Sequence, residues 1–386
     1  MKFMATCTAG LESPLAYEIK ELGLNVIDSS DGKAIFEGEE RDLVRANLWL
    51  RTAERVFIIL DEFTAFTSDE LYDNLSRFDW KSVIPKDGNL LISRVKIKKS
   101  ELKSTRITQS VAQKAILSKL CQSYSLNRMP MSGKEYPVHI YIRKNGVTVA
   151  LETSGNGLHM RGYRTQAGRA PLRETIAAGL LKLARWNENI ELVDPFCGSG
   201  TIIIEAAMIA RNQAPGLYRS FLFEDWSLID KKIISDERRN ARKLIKKTEA
   251  NLTGYDTSAK MIEYAEKNSV AARISEYCRF EQQPMEQLRR DTRYGFVLTN
   301  PPFGERLNDK DAAFNLYQQM KHLKKDLQDW SYFIYTSHEQ TEKAFDMKAS
   351  KKKWILNSGL KTWLYFFWGP KPKKGDEDND FTGNDE

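Results

Sequence analysis

The chain has few cysteines and none that pair by spacing. Cys7, Cys121, Cys197 and Cys278 lie far apart, with no C-x-x-C and no histidine clustered near them. That spacing argues against a disulfide framework and a metal site such as zinc, and suits a cytoplasmic location, where thiols stay reduced. Long apolar runs are missing too. No stretch of about 18 apolar residues occurs, so no membrane span is expected. The start, Met1 to Cys7, is too polar and too soon followed by Glu12 for a secretory signal. No repeat of solenoid length is visible. What is present is a 41% hydrophobic fraction, enough for real cores, in 386 residues, a length that suggests two or three domains. The formal net charge of +7 favours polyanions as partners. Residues 371–386 are polar and end acidic, and read as a disordered tail.

Strand and helix patterns divide the rest. Residues 1–65 read as a small α+β unit. Phe3–Cys7 is a strand, and a helix starts at Ser13-Pro14 with proline in its first turn. Val26–Asp28 and Lys33–Phe36 flank an Asp31-Gly32 turn. Arg41–Trp49 is a helix and Arg55–Leu60 a strand. Residues 66–152 form a second α+β unit. It holds a strand at Asn89–Val95, a basic run (Arg94, Lys96, Lys98, Lys99, Lys103, Arg106) and a helix at Ile107–Leu120. It closes with a hairpin whose turn is placed at Asn145-Gly146. Residues 153–175 read as an arginine- and glycine-rich linker, flexible or tightly turned. From 176 to 370, apolar strands at Glu191–Val193, Leu252–Tyr255, Phe296–Leu298, Tyr332–Tyr335 and Trp363–Phe367 alternate with helices, as in an open α/β sheet.

Two motifs carry chemistry. In the first, Leu192-Val193-Asp194-Pro195-Phe196-Cys197-Gly198-Ser199-Gly200-Thr201, a strand enters a glycine turn and a helix follows. Gly198 and Gly200 allow the backbone to approach a ligand where a Cβ would collide. The helix N-terminus adds oriented N–H groups, and Asp194 can take a ligand ammonium. Dinucleotide binding would want a third glycine, and Ile203 stands in its place. The next strand-end acid, Asp256, followed by Thr257, offers two acceptor oxygens to ribose hydroxyls. Near Met285 a backbone N–H can meet an adenine. Gln283, Pro284 and Glu286 compete as its polar side-chain contact.

The second motif, Thr299-Asn300-Pro301-Pro302-Phe303-Gly304, follows another strand, about 100 residues downstream. An exocyclic amine of guanine or adenine is a poor nucleophile, because its lone pair is delocalised into the ring. Two acceptors on its hydrogens, the Asn300 side-chain oxygen and the Pro301 carbonyl, pull the nitrogen toward tetrahedral geometry. Pro301 and Pro302 hold that backbone in position. Phe303 offers a face on which an extruded base stacks. A rigid turn is the plain alternative for this motif on its own.

These residues resemble the class I amino-methyltransferases. With Gly162-Tyr163-Arg164, Ala170-Pro171-Leu172-Arg173 and Ala214-Pro215-Gly216-Leu217, the chain is similar to the THUMP-containing RNA methyltransferases related to large-subunit rRNA guanine-N2 methyltransferases. The resemblance implies an α/β fold with a Rossmann-like class I methyltransferase domain. It also implies an N-terminal α+β RNA-binding region, ferredoxin-like and then THUMP. S-adenosyl-L-methionine would be the cofactor and RNA the partner, as ribosomal RNA or an assembling large subunit. Asp194, Pro195, Phe196, Gly198, Gly200, Thr201, Asp256, Thr257, Met285 and Asn300 are then cofactor contacts. Segment 170–173 would fold back beside the cofactor. Lys96, Lys98, Lys99, Lys103, Arg161 and Arg164 become candidate RNA contacts. Phe303 stands where many relatives have Tyr, which keeps stacking and loses a hydroxyl. An adenine-N6 methyltransferase and an RNA-binding assembly factor with a vestigial site are the competing expectations.

Overall fold

The structure is a computed structural model that describes residues 1–168, 171–302, 309–357 and 359–371. The predicted tail from 372 onward, Phe303 and Gly304 of the second motif, and Ala170 of the 170–173 segment lie outside the described residues.

The N-terminal half is built on strands β1 (Lys2–Cys7), β2 (Asn25–Ser30), β3 (Lys33–Glu37), β4 (Ala53–Thr64), β5 (Asn89–Lys98), β6 (Glu135–Arg143) and β7 (Gly146–Glu152). They form one sheet in the order β2-β3-β1-β4-β7-β6-β5, antiparallel except for the β5–β6 pair. Helices α1 (Glu12–Glu21), α2 (Glu40–Trp49), α3 (Ser68–Arg77) and α4 (Thr105–Tyr124) bury their apolar faces, for example Leu15, Leu43, Leu71 and Ile116, in one core. The two predicted units therefore share a sheet. The link is β4, whose first half pairs with β1 and whose second half pairs with β7. Ladder bonds keep its polar end, Asp61–Thr64, extended beyond the Arg55–Leu60 run that hydrophobicity marks. The hairpin register also differs from expectation. Arg143 pairs with Gly146, and the two turn residues are Lys144 and Asn145 at φ 50° and 66°. Positive φ at both central positions is the turn whose twist matches a two-residue hairpin.

The second sheet contains β8 (Glu191–Asp194), β9 (Leu252–Asp256), β10 (Arg279–Gln282), β11 (Gly295–Thr299), β12 (Ser331–Thr336), β13 (Lys351–Asn357) and β14 (Leu360–Phe367). Their order is β10-β9-β8-β11-β12-β14-β13, with the first five parallel and β14 antiparallel to both its neighbours. Helix α5 (Glu174–Leu183) precedes β8, and helices α6 (Thr201–Ala210), α7 (Lys231–Lys243), α8 (Ala259–Ala271) and α9 (Asp309–Met320) lie in the connections between the strands. Sequence pattern missed β10 and β13. The first is a polar edge strand of four residues with Phe280 inside it. The second begins with three lysines that hide the Trp354, Ile355, Leu356 run. The expected linker is tightly turned and packed. Thr153 and Ser154 are buried, Thr153 Oγ1 donates to the Val56 carbonyl at 2.8 Å, and Gly162 has φ 99°. Among the described residues no helix is long and apolar enough to cross a membrane.

Candidate active site

In the second sheet the chain winds outward from β8 on both sides, to β9 and β10 one way and to β11 and β12 the other. Open parallel sheets bind ligands beyond the carboxyl ends of the strands where the winding reverses. Here that crevice opens between β8 and β11, and both sequence motifs flank it.

The glycine turn leaves β8 at Asp194. The Asp194 carboxylate is 1% exposed. Its Oδ1 accepts the Phe196 N–H at 3.1 Å and the Thr299 hydroxyl at 2.6 Å. Thr299 is the last residue of β11, so this bond ties the first motif directly to the residue before Asn300. Burial pushes the Asp194 pKa up to about 7; the two hydrogen bonds oppose this and the nearby Asp256 charge adds to it. On the other side Asp256, ending β9, accepts the Gly198 N–H at 3.1 Å and the Ser258 N–H at 2.9 Å. Each of its oxygens has a second lone pair for a hydroxyl. Thr257 is exposed beside it.

The two glycines differ in role. Gly198 has φ 52°, and a Cβ built there meets nothing within 4 Å, so the space is open to a ligand. Gly200 has φ 83°, and its Cβ would lie 2.9 Å from Ala265 on α8 and from the Phe280 ring. Its missing Cβ permits this close packing of the turn against α8 and β10. Cys197, just before Gly198, is buried, and burial pushes its thiol up, so it stays protonated. Pro195 is buried. Phe196 packs against the cluster of Val193, Tyr255 and Met285, and Met285 opens a short helical turn after β10. The residues at this edge suit a nucleoside bearing an amino acid: a strand-end carboxylate for hydroxyls, an open glycine cradle and a buried acid.

At the second motif Pro301 is buried and Pro302 exposed. Asn300 Oδ1 is buried without a hydrogen-bond partner among the described residues. A buried carbonyl oxygen left unpaired costs roughly 1–3 kcal/mol. It is an acceptor held ready.

The strap, residues 153–168 and 171–173, holds two candidate RNA contacts. Arg161 is 4% exposed. It donates through Nε to Glu205 at 3.3 Å, through Nη1 to the Leu158 carbonyl at 2.7 Å, and to the Arg51 carbonyl. Tyr163 Oη donates to the same Glu205 at 3.2 Å. Arg164 bonds Glu174 and the Leu172 carbonyl, both at 2.8 Å, and reaches Thr201 Oγ1 at 3.1 Å and Ser199 Oγ at 3.4 Å. Arg161 is enclosed and spent on Glu205 and backbone carbonyls, and Arg164 is half-buried with its guanidinium engaged by Glu174, the Leu172 carbonyl and the glycine turn. Lys96, Lys98, Lys99 and Lys103 are exposed, with Lys96 and Lys98 on the edge strand β5. Asn268 on α8 is a residue the sequence reading missed. Its Nδ2 donates to the Ser199 carbonyl at 3.1 Å and the Gln166 carbonyl at 2.9 Å, and its Oδ1 accepts from Thr165 N–H at 3.0 Å and Gln166 N–H at 3.2 Å. A polar residue on the buried stripe of α8, beside Ile262 and Ala265, was the available signal.

A doubly wound sheet with a glycine turn and an Asn-Pro-Pro turn at adjacent strand ends defines an S-adenosylmethionine-dependent methyltransferase. The chain belongs to the family described as RMKL-like, methyltransferase domain, which matches residues 161–364. An RlmL ferredoxin-like domain matches 2–57 and a THUMP domain 65–152. It is 37% identical over 377 residues to YpsC of Bacillus subtilis (strain 168), whose name proposes an RNA methyltransferase, covering 96% of this chain and 97% of that protein. It is 32% identical to the ribosomal RNA large subunit methyltransferase K/L of Marinobacter nauticus, covering 95% of this chain and 52% of that longer protein. Among solved structures, SMU.472, proposed to be a methyltransferase and crystallised with SAH, superposes with a TM-score of 0.90 at 34% identity, over 96% of this chain and 99% of that one. A Listeria monocytogenes protein described as a predicted N6-adenine-specific DNA methylase gives 0.91 at 37% identity, over 96% of each chain.

Proposed function

We propose that this protein methylates the exocyclic N2 amine of a guanine in ribosomal RNA of the large subunit. The observation that carries the reading is the orphaned Asn300 Oδ1, held by the Thr299–Asp194 bond beside the glycine turn. S-adenosylmethionine, when bound there, supplies a methyl group made electrophilic by its sulfonium. Gly198 gives it room, Asp256 accepts its ribose hydroxyls, Asp194 accepts its ammonium and the backbone near Met285 meets its adenine. Asn300 Oδ1 and the Pro301 carbonyl accept the two amine hydrogens and expose the nitrogen lone pair. No strong base is required, since the amine proton becomes acidic once the nitrogen is alkylated. Phe303 stacks on the base. Lys96, Lys98, Lys99 and Lys103 hold phosphates of the same RNA. The THUMP match and the large-subunit methyltransferase relative support RNA of the ribosome as substrate.

Adenine-N6 methylation uses the same acceptors, and the Listeria structure speaks for it. The test is methyl transfer from labelled S-adenosylmethionine to ribosomal RNA from cells lacking this gene, followed by nucleoside mass spectrometry. N2-methylguanosine is expected. N6-methyladenosine would change the base and keep the chemistry. Cofactor binding with no transfer to free RNA or immature subunits would leave only a binding role.

A further inference from the structure

We infer that His338 contacts the target base on the edge beside its reacting amine and so helps select guanine. This rests on the amino-methylation reading above. His338 lies two residues past Thr336, the end of β12. Strand β12 runs parallel to β11 with Thr299 opposite Ile334, so Asn300 and His338 leave adjacent strands at the same carboxyl edge.

Its backbone is held from several sides. The His338 N–H donates to Thr336 Oγ1 at 3.0 Å, and that oxygen shares a 2.8 Å hydrogen bond with the Tyr317 hydroxyl. The His338 carbonyl accepts from Thr341 Oγ1 at 2.7 Å and from Tyr365 Oη at 3.4 Å. The ring stands edge-on to Tyr317 at 5.2 Å between centroids, with Phe314 at 6.2 Å. Yet Nδ1 is buried and has no hydrogen-bond partner among the described residues. Setting aside groups held in ion pairs, the buried side-chain atoms left unpaired among the described residues are Arg51 Nη1, Ser76 Oγ, Asn300 Oδ1 and His338 Nδ1. Two of these four stand at one edge of one sheet. Buried polar atoms are rarely left unpaired without a role, and a rigid backbone carrying a free ring nitrogen is a preorganised contact.

The base chemistry fits. A guanine with its N2 amine on Asn300 and Pro301 presents its N1–H next to that amine. A neutral imidazole with Nδ1 as acceptor takes this hydrogen. An adenine with its N6 amine in the same place presents the N1 lone pair, which meets the Nδ1 lone pair unfavourably.

The experiment uses the full chain, ribosomal RNA from cells lacking the gene, and labelled S-adenosylmethionine. His338→Phe places a ring among Tyr317 and Phe314 and removes the orphan, so its melting temperature stays or rises. Its kcat/KM for RNA falls tenfold or more, while its Kd for S-adenosylmethionine is unchanged. His338→Asn, which restores an acceptor, recovers part of the loss. Full activity of His338→Phe against an active wild type would overturn the inference alone. So would a drop in melting temperature that parallels the activity and is not relieved in His338→Asn. A wild-type chain that transfers no methyl to RNA would sink the reading of the reaction, and this inference with it.

Discussion

Asn300 and Asp194 stand at the ends of adjacent strands in different roles: Asn300 Oδ1 is unpaired among the described residues, while Asp194 Oδ1 holds Phe196 and Thr299. Replacing Asn300 by Ala removes an acceptor whose oxygen has no hydrogen-bond partner among the described residues. Turnover is expected to fall about a hundredfold or more, as loss of one positioned polar group in an active site does. The Kd for S-adenosylmethionine, measured by calorimetry, should stay the same. Unchanged turnover would remove Asn300 from the chemistry. Asp194 makes a pH prediction. In the folded chain its carboxyl keeps a proton up to about 7, against 3.8 for the unperturbed group. Between those values the folded state binds more protons than the unfolded one, so this group's contribution to stability declines as pH rises through that window. Asp194→Asn keeps the acceptor for Thr299 and Phe196 without the buried charge. In the cofactor-free protein it should melt above the wild type at pH 8, with the gap closing near pH 5, and it should bind S-adenosylmethionine more weakly. A gap that is the same at both pH values would contradict the assignment.

At the scale of elements, the strap over the glycine turn depends on α8. Asn268 joins Ser199, Thr165 and Gln166 through one side chain. Asn268→Ala leaves several backbone groups unpaired, each at a cost of roughly 1–3 kcal/mol. The strap should loosen and the Kd for S-adenosylmethionine rise about tenfold or more, the equivalent of about 1.4 kcal/mol. Turnover at saturating cofactor should be largely kept, because Asn300 is untouched. A fall in turnover with unchanged affinity would put Asn268 in a different role.

At the scale of the whole molecule, the N-terminal sheet and the catalytic sheet are joined through buried charge. Arg161 bridges the Arg51 carbonyl after α2 to Glu205 on α6, while Arg51 Nη2 donates to the Gln213 carbonyl at 2.8 Å. Arg161→Ala would strand the Glu205 carboxylate, and breaking a buried pair from one side typically costs about 3–5 kcal/mol. Denaturant unfolding should show that loss. The salt dependence of RNA binding should not change in Arg161→Ala, whereas changing Lys96, Lys98, Lys99 and Lys103 together to Gln should flatten it. A flattened salt slope for Arg161→Ala would return Arg161 to the RNA surface.

The alternation of apolar strands and helices, the two strand-end motifs and the α+β character of the N-terminal half were legible in the chain alone. They are local: period, glycine and proline placement, and an acid at a strand end act over a few residues. What only the tertiary structure decided was partnership. That β4 joins two units into one sheet depends on ladders with β1 and β7. That Arg161 is interior and Arg164 half-buried depends on Glu205 and Glu174, neither of which a basic run announces. Gly200 is small because Ala265 and Phe280 crowd it, and Thr299 matters because Asp194 is 2.6 Å away. Residue type limits the bonds a side chain can make; which partner it meets is set by long-range packing, where a charge is either left in water or enclosed and paired.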